Sequence, residues 1–174
     1  MISIKLVCSL IIIGSCTFMG IKFGDTLRKR VKELNELMAA IYLIKTQIHY
    51  TFTPLPEIFN VLSKKNKEPL KTIFENISIS LYANDVDSVY EAVEYELNNK
   101  IHSLSLKKED KDIFMDLAKS LGDTDIEGQN SILELTEMKL KKQIEKADLD
   151  LKNNLKIYQY LGFTIGATIV ILIV

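Results

Sequence analysis

Apolar side chains are distributed along this chain in two ways. From Leu6 to Ile21, and again from Ile157 to Val174, they run on without a single charged residue. Between those runs they recur every third or fourth position, the signature of helices that bury one face. From Thr26 to about Phe52 the stripe is Leu27, Val31, Leu34, Leu37, Met38, Ile41, Ile44 and Ile48. Thr53-Pro54-Leu55-Pro56-Glu57 stops that helix and starts a second, since proline in a first turn gives up only an N–H that has no partner there. The second carries Ile58, Phe59 and Leu62 and ends in the solvated turn Lys64-Lys65-Asn66-Lys67. Pro69 opens a third, with Leu70, Ile73, Phe74 and Ile77, which Asn84-Asp85 breaks. A fourth, capped by Asp85 or Asp87, presents Val89, Val93 and Leu97. A fifth begins at Ser105 with Glu109, presents Ile113, Phe114, Leu117 and Leu121, and stops at Gly122 in a left-handed cap. The sixth runs from about Asp125 to Leu155. Its Leu133, Leu140 and Ala147 repeat every seven residues, a seam for a coiled coil or, as ordinary amphipathic packing favours, for the first helix. No alternating apolar pattern predicts a strand.

The uninterrupted runs predict two membrane spans. At 1.5 Å per residue they cover ~24 Å and ~27 Å, short of the ~30 Å hydrocarbon core, but bordering lysines can snorkel and the bilayer can thin. Lys22, Arg28, Lys29, Arg30 and Lys32 follow the first run, and Lys152 and Lys156 precede the second. The positive-inside rule then puts residues 23–156 in the cytoplasm and both termini outside, with Tyr158 and Tyr160 at the interface. Segments 1–22 and 157–174 are the anchors, in contact with membrane lipid, and 23–156 the cytoplasmic bundle. Two spans entered from one side require an even number of antiparallel helices between them, and six fits. The predicted fold is all-α: a six-helix antiparallel bundle between N-terminal and C-terminal transmembrane helices. Basic residues directly after Ile21 resist translocation, which counts against a cleaved signal peptide and against a lipoprotein reading of Ile13-Gly14-Ser15-Cys16.

Charge narrows the function classes. All 23 acids and 20 of the 22 bases lie in 23–156, leaving −3 there, without the clustered positive excess that nucleic-acid binding needs. Cys8 and Cys16, the only cysteines, sit in the first apolar run, so no disulfide or zinc framework is expected. No phosphate-binding glycine loop or serine elbow occurs, and His49 and His102 stand apart without a nucleophile. No catalytic residue, cofactor or small-molecule substrate is predicted. One stretch, Asp123 to Glu134, resembles a calcium loop, with acids at positions 1, 3 and 5, Gly128 at 6, Ser131 at 9 and Glu134 at 12. That pattern would make the chain a calcium-responsive membrane sensor. Glu127 at position 5 and Asn130 at position 8 depart from it, and aspartates capping the sixth helix explain the same residues, so no metal site is predicted. The mixed run Lys107–Asp112 is either a solvated helix start or a guide for a partner.

Four segments together carry a family resemblance. They are Leu27-Arg28-Lys29-Arg30 after a single span; Ile48-His49-Tyr50-Thr51-Phe52-Thr53-Pro54-Leu55-Pro56-Glu57; Leu121-Gly122-Asp123-Thr124-Asp125 with Gln129 behind it; and a closing helix through Lys156, Tyr158, Leu161-Gly162 and Gly166. In order and spacing the chain resembles the stage III sporulation protein AB family of endospore-forming bacteria. The resemblance implies a bundle similar to the cytoplasmic domain of type II secretion F-proteins. It also implies a non-enzymatic platform in the secretion-like channel complex between mother cell and forespore. The implied partners are a secretion-type ATPase, stage III sporulation protein AA, and other stage III membrane proteins. On that reading Arg28, Arg30, Asp123, Asp125 and Gln129 are the candidate partner contacts, and Pro54 and Gly122 are structural. Topology signalling by the arginines and capping by the aspartates account for the same residues. A generic two-span scaffold in another assembly is the remaining alternative.

Overall fold

The structure, a computed structural model, describes residues 2–99, 103–121 and 126–173. Among them there is no strand. The helices are α1 (Ile2–Thr46, closed by a π-turn over Gln47–Thr51), α2 (Leu55–Lys65), α3 (Leu70–Ala83), α4 (Val89–Asn99), α5 (Lys108–Ser120) and α6 (Ile126–Ile173). The expected first span and first bundle helix are one continuous helix, as are the sixth helix and the second span. Thr26 explains part of this: its hydroxyl donates to the Lys22 carbonyl, 3.2 Å away, so it continues the helix instead of capping a new one. The chain divides into two compact units, one of residues 1–31 and 146–174, the other of residues 32–145.

The first unit is an antiparallel pair formed by the start of α1 and the end of α6. Glycines set its spacing. A Cβ on Gly20 would stand 2.5 Å from the Tyr158 carbonyl oxygen, and one on Gly162 would stand 2.7 Å from that of Cys16. Gly166 meets Ile13 Cα in the same way at 3.0 Å. Backbones approach this closely only where side chains are missing, the usual device for joining helices in lipid. Phe23 stacks on Tyr158 with centroids 6.0 Å apart. Further along, Arg30 reaches Asp150 at 3.4 Å.

The second unit packs the rest of α1, α2 to α5 and the start of α6 around a continuous apolar core. Leu34, Ile41 and Ile44 of α1, Phe59 of α2, Phe74 of α3, Val93 of α4, Leu117 of α5 and Leu133 and Leu140 of α6 are all buried. Phe59, Phe74 and Phe114 form a chain of rings at 6.1 Å steps that links α2, α3 and α5 at the centre. Burying such side chains contributes ~1.5–3 kcal/mol each, which is what holds these short helices in place.

Helix ends follow side-chain chemistry, with two differences from the sequence expectation. Ser88, not Asp85 or Asp87, caps α4: its Oγ accepts the Glu91 N–H at 3.2 Å, while Glu91 reaches back to the Asp87 N–H at 2.9 Å. The fifth helix starts at Lys108 and not at Ser105, because Asp110, wholly buried, accepts the Lys107 N–H at 2.9 Å. Ser105 is held elsewhere, its N–H donating to the buried Glu33 carboxylate of α1 at 2.8 Å. Asn84 ends α3 in the left-handed region, φ 53, where its short polar side chain is tolerated.

Candidate functional site

The predicted contact residues do not form one patch. Arg28 is exposed and paired with Asp25 one turn earlier at 3.1 Å. Arg30 is 4% exposed, and its guanidinium reaches Asp150 inside the two-helix unit. A desolvated guanidinium left without a carboxylate would be costly, and this contact joins α1 to α6. Gln129 lies half-buried in the first turns of α6 and already has an interaction partner. Gly122, Asp123 and Asp125 lie outside the described residues. Pro54 lies in extended backbone before α2, with its carbonyl accepting the Glu57 and Ile58 N–H groups at 3.0 and 3.1 Å.

The calcium-loop alternative meets a conflict in α6. That helix begins at Ile126, so Gly128, Ser131 and Glu134 are helical residues, whereas a calcium loop needs glycine at position 6 for a sharp turn. Glu134 and Glu137 also have another cation: Lys45 of α1 lies 3.3 and 3.5 Å from them. Burial draws the Lys45 ammonium down, but the hydrogen bond to Glu134 and the charges of Glu137 and Glu134 outweigh it and hold its pKa above the ordinary lysine value. On α5, burial pushes Lys111 below that value, with the Glu33 charge opposing. Among the described residues no three metal-ligating side chains converge. His49 packs edge-on against Tyr50 at 4.8 Å, and His102 lies outside the described residues.

The feature that periodicity missed is the elbow between α1 and α2. The π-turn throws Phe52 into the left-handed region, φ 51, a strained place for a bulky residue. Gln47, Thr51 and Thr53 hold the turn: Thr53 Oγ1 donates to Gln47 Oε1 at 2.8 Å and stands 2.7 Å from Thr51 Oγ1. Tyr50 and Phe52 are left mostly exposed. The Thr-Pro-Leu-Pro signal marked a break here, but a helix period carries no information about a π-turn.

Comparison with known proteins covers nearly the whole chain. The family model for stage III sporulation protein AB matches residues 5–174. Stage III sporulation protein AB of Bacillus subtilis is 26% identical over 170 residues, 98% of this chain and 99% of that protein. A solved structure of a stage III sporulation protein AB superposes with a TM-score of 0.65 at 26% identity, covering 71% of this chain and 96% of the solved one.

Proposed function

The chain belongs to the stage III sporulation protein AB family, and from that membership we propose that it is a non-enzymatic membrane platform of the complex between mother cell and forespore. In this reading the glycine-seamed helix pair anchors the protein in the membrane and the charged bundle lies in the mother-cell cytoplasm, with both termini outside. The bundle docks a secretion-type ATPase, stage III sporulation protein AA by resemblance, together with other stage III membrane proteins. The observation that carries the reading is continuity. Helices α1 and α6, which both supply buried faces to the charged bundle, are also, among the described residues, the two long and apolar enough to cross a membrane. Lys22, Arg28, Lys29 and Lys32 after one span, and Lys152 and Lys156 before the other, support the orientation. Arg28, Asp123, Asp125 and Gln129 are the proposed ATPase-side contacts, and Arg30 serves the anchor.

Recovery of the full chain in mild detergent from sporulating cells, with bound proteins identified by mass spectrometry, tests this. The ATPase should co-purify, and the paired reversal D123K/D125K should remove it and impair sporulation while protein levels hold. A folded full chain that brings down no ATPase, or full sporulation by the reversed variant, overturns the docking mechanism.

A further inference from the structure

We propose that the exposed flank of α3 and α4 is a docking surface for a basic protein segment carrying apolar side chains, of which a Lys/Arg-rich amphipathic helix is the simplest form. This surface is distinct from the contacts placed on α1 and near the start of α6, and does not depend on the ATPase reading.

Both helices bury one face completely and display another. On α3 the outward positions are Glu75, Ile79 and Tyr82; on α4 they are Glu91 and Tyr95. Ile79 and Tyr82 are each 58% exposed and Tyr95 is 65% exposed. The helices are antiparallel neighbours, joined by the short 84–88 connection and cross-linked where Asn76 Nδ2 donates to Glu96 at 2.9 Å. Single exposed apolar side chains are normal; three large ones on two adjoining helices are the kind of patch a partner covers.

Charge identifies that partner. Between Lys71 and Lys100 there are six acids and no base. Glu96 is used internally by Asn76, and Glu94 accepts the Tyr90 hydroxyl at 2.8 Å. Glu91 is exposed but committed to capping α4 through the Asp87 N–H, so Glu75, Asp85 and Asp87 are the uncommitted acids at the surface, against one exposed base of α3, Lys71. The bases of the neighbouring helix meet α4 on its α5 side: Lys119 sits 5.0 Å from the Tyr90 ring, and Lys108 and Lys111 line a hollow with Glu94 and Leu97. Exposed apolar anchors on a flank with more acids than bases complement a segment that carries apolar anchors and an excess of bases. A second copy of this chain meeting the same flank by a two-fold axis would set acid against acid, and an anionic lipid surface would be repelled.

The test uses the full chain in nanodiscs of zwitterionic lipid and a fluorescent amphipathic Leu/Lys helix of about 18 residues, five turns long. Empty discs supply the blank and a Leu/Glu helix of the same pattern the control. The Leu/Lys helix should bind saturably and protect α3 and α4 from hydrogen exchange. E75K/D85K and I79S/Y95S should each weaken it by about tenfold or more, while D148K on α6 leaves it unchanged. All of these positions are exposed, so unaltered melting of the variants confirms that folding is intact. Equal binding of both peptides, or flank variants that bind like the parent, overturns the proposal. So does a dimer that I79S/Y95S dissolves without any effect on the peptide, which would give the flank to a second copy.

Discussion

Substituting Gly162 by alanine tests whether glycine is required in the α1–α6 seam. The added Cβ would stand 2.7 Å from the Cys16 carbonyl oxygen, 3.2 Å from Gly20 Cα and 3.3 Å from Thr17 Cα, where ordinary contact begins at 3.4 Å. All three neighbours are backbone atoms, so no side-chain rotation relieves the clash and one helix must move away. Movement also loosens the contact at Gly166, which rests on Ile13 one turn further along. Gly14 is the internal control, because a Cβ there meets nothing within 4 Å. Alanine stabilises an unconstrained helix interior by ~1 kcal/mol over glycine, and overpacking costs ~1–3 kcal/mol. G14A should therefore be neutral or stabilised, with G162A lower than G14A by about 1–3 kcal/mol. At roughly 2–4 °C per kcal/mol the melting temperatures of the two variants separate by several degrees. Helicity followed on heating in detergent gives the stability. Spin labels at the exposed Phe18 and Phe163 report whether the helices part. A G162A protein as stable as G14A, with unchanged label distances, would refute the reasoning.

Three further perturbations probe the packing of the two units. R30M leaves Asp150 facing an apolar side chain where it had a buried guanidinium, so it should destabilise by about 1–3 kcal/mol in thermal melts, whereas R28M should be near neutral. F52G removes a bulky residue from φ 51 while giving up little buried surface, and should raise stability by about 1 kcal/mol; N84A, at φ 53, should lower it by a similar amount. Lys45 titrates higher in the folded chain than unfolded, so its contribution is complete below the unfolded value of 10.5 and is lost as pH rises through the raised folded value. The melting-temperature gap between the parent and K45M should therefore stay level from about pH 7 to 9 and close in more alkaline buffer.

Helix number and core were legible because each needs only local information. Leu34, Ile41, Ile44, Phe59, Phe74, Val93, Leu117, Leu133 and Leu140, placed on apolar faces by spacing alone, are all buried. Caps were legible in kind but less so in position. Asp85, Asp87 and Ser88 are all competent N-caps, and the choice of Ser88 depends on where Val89 and Val93 must point to reach the core.

The candidate contacts were the least legible part, since charge in a sequence does not say whether a side chain faces solvent. Arg28 and Arg30 look alike two residues apart, yet one is exposed and the other is closed in against Asp150, 120 positions away. The sequence by itself determined the helical class, the two apolar ends, the glycines available for close approach and the −3 balance of the middle. These are properties of composition and period, which act over a few residues. The tertiary structure alone decided which glycines touch, which arginine is desolvated, and that Glu134 binds Lys45. It also decided which acids and aromatics of α3 and α4 stay exposed. Those outcomes depend on distances between residues far apart in the chain, and such distances exist only once the helices have packed.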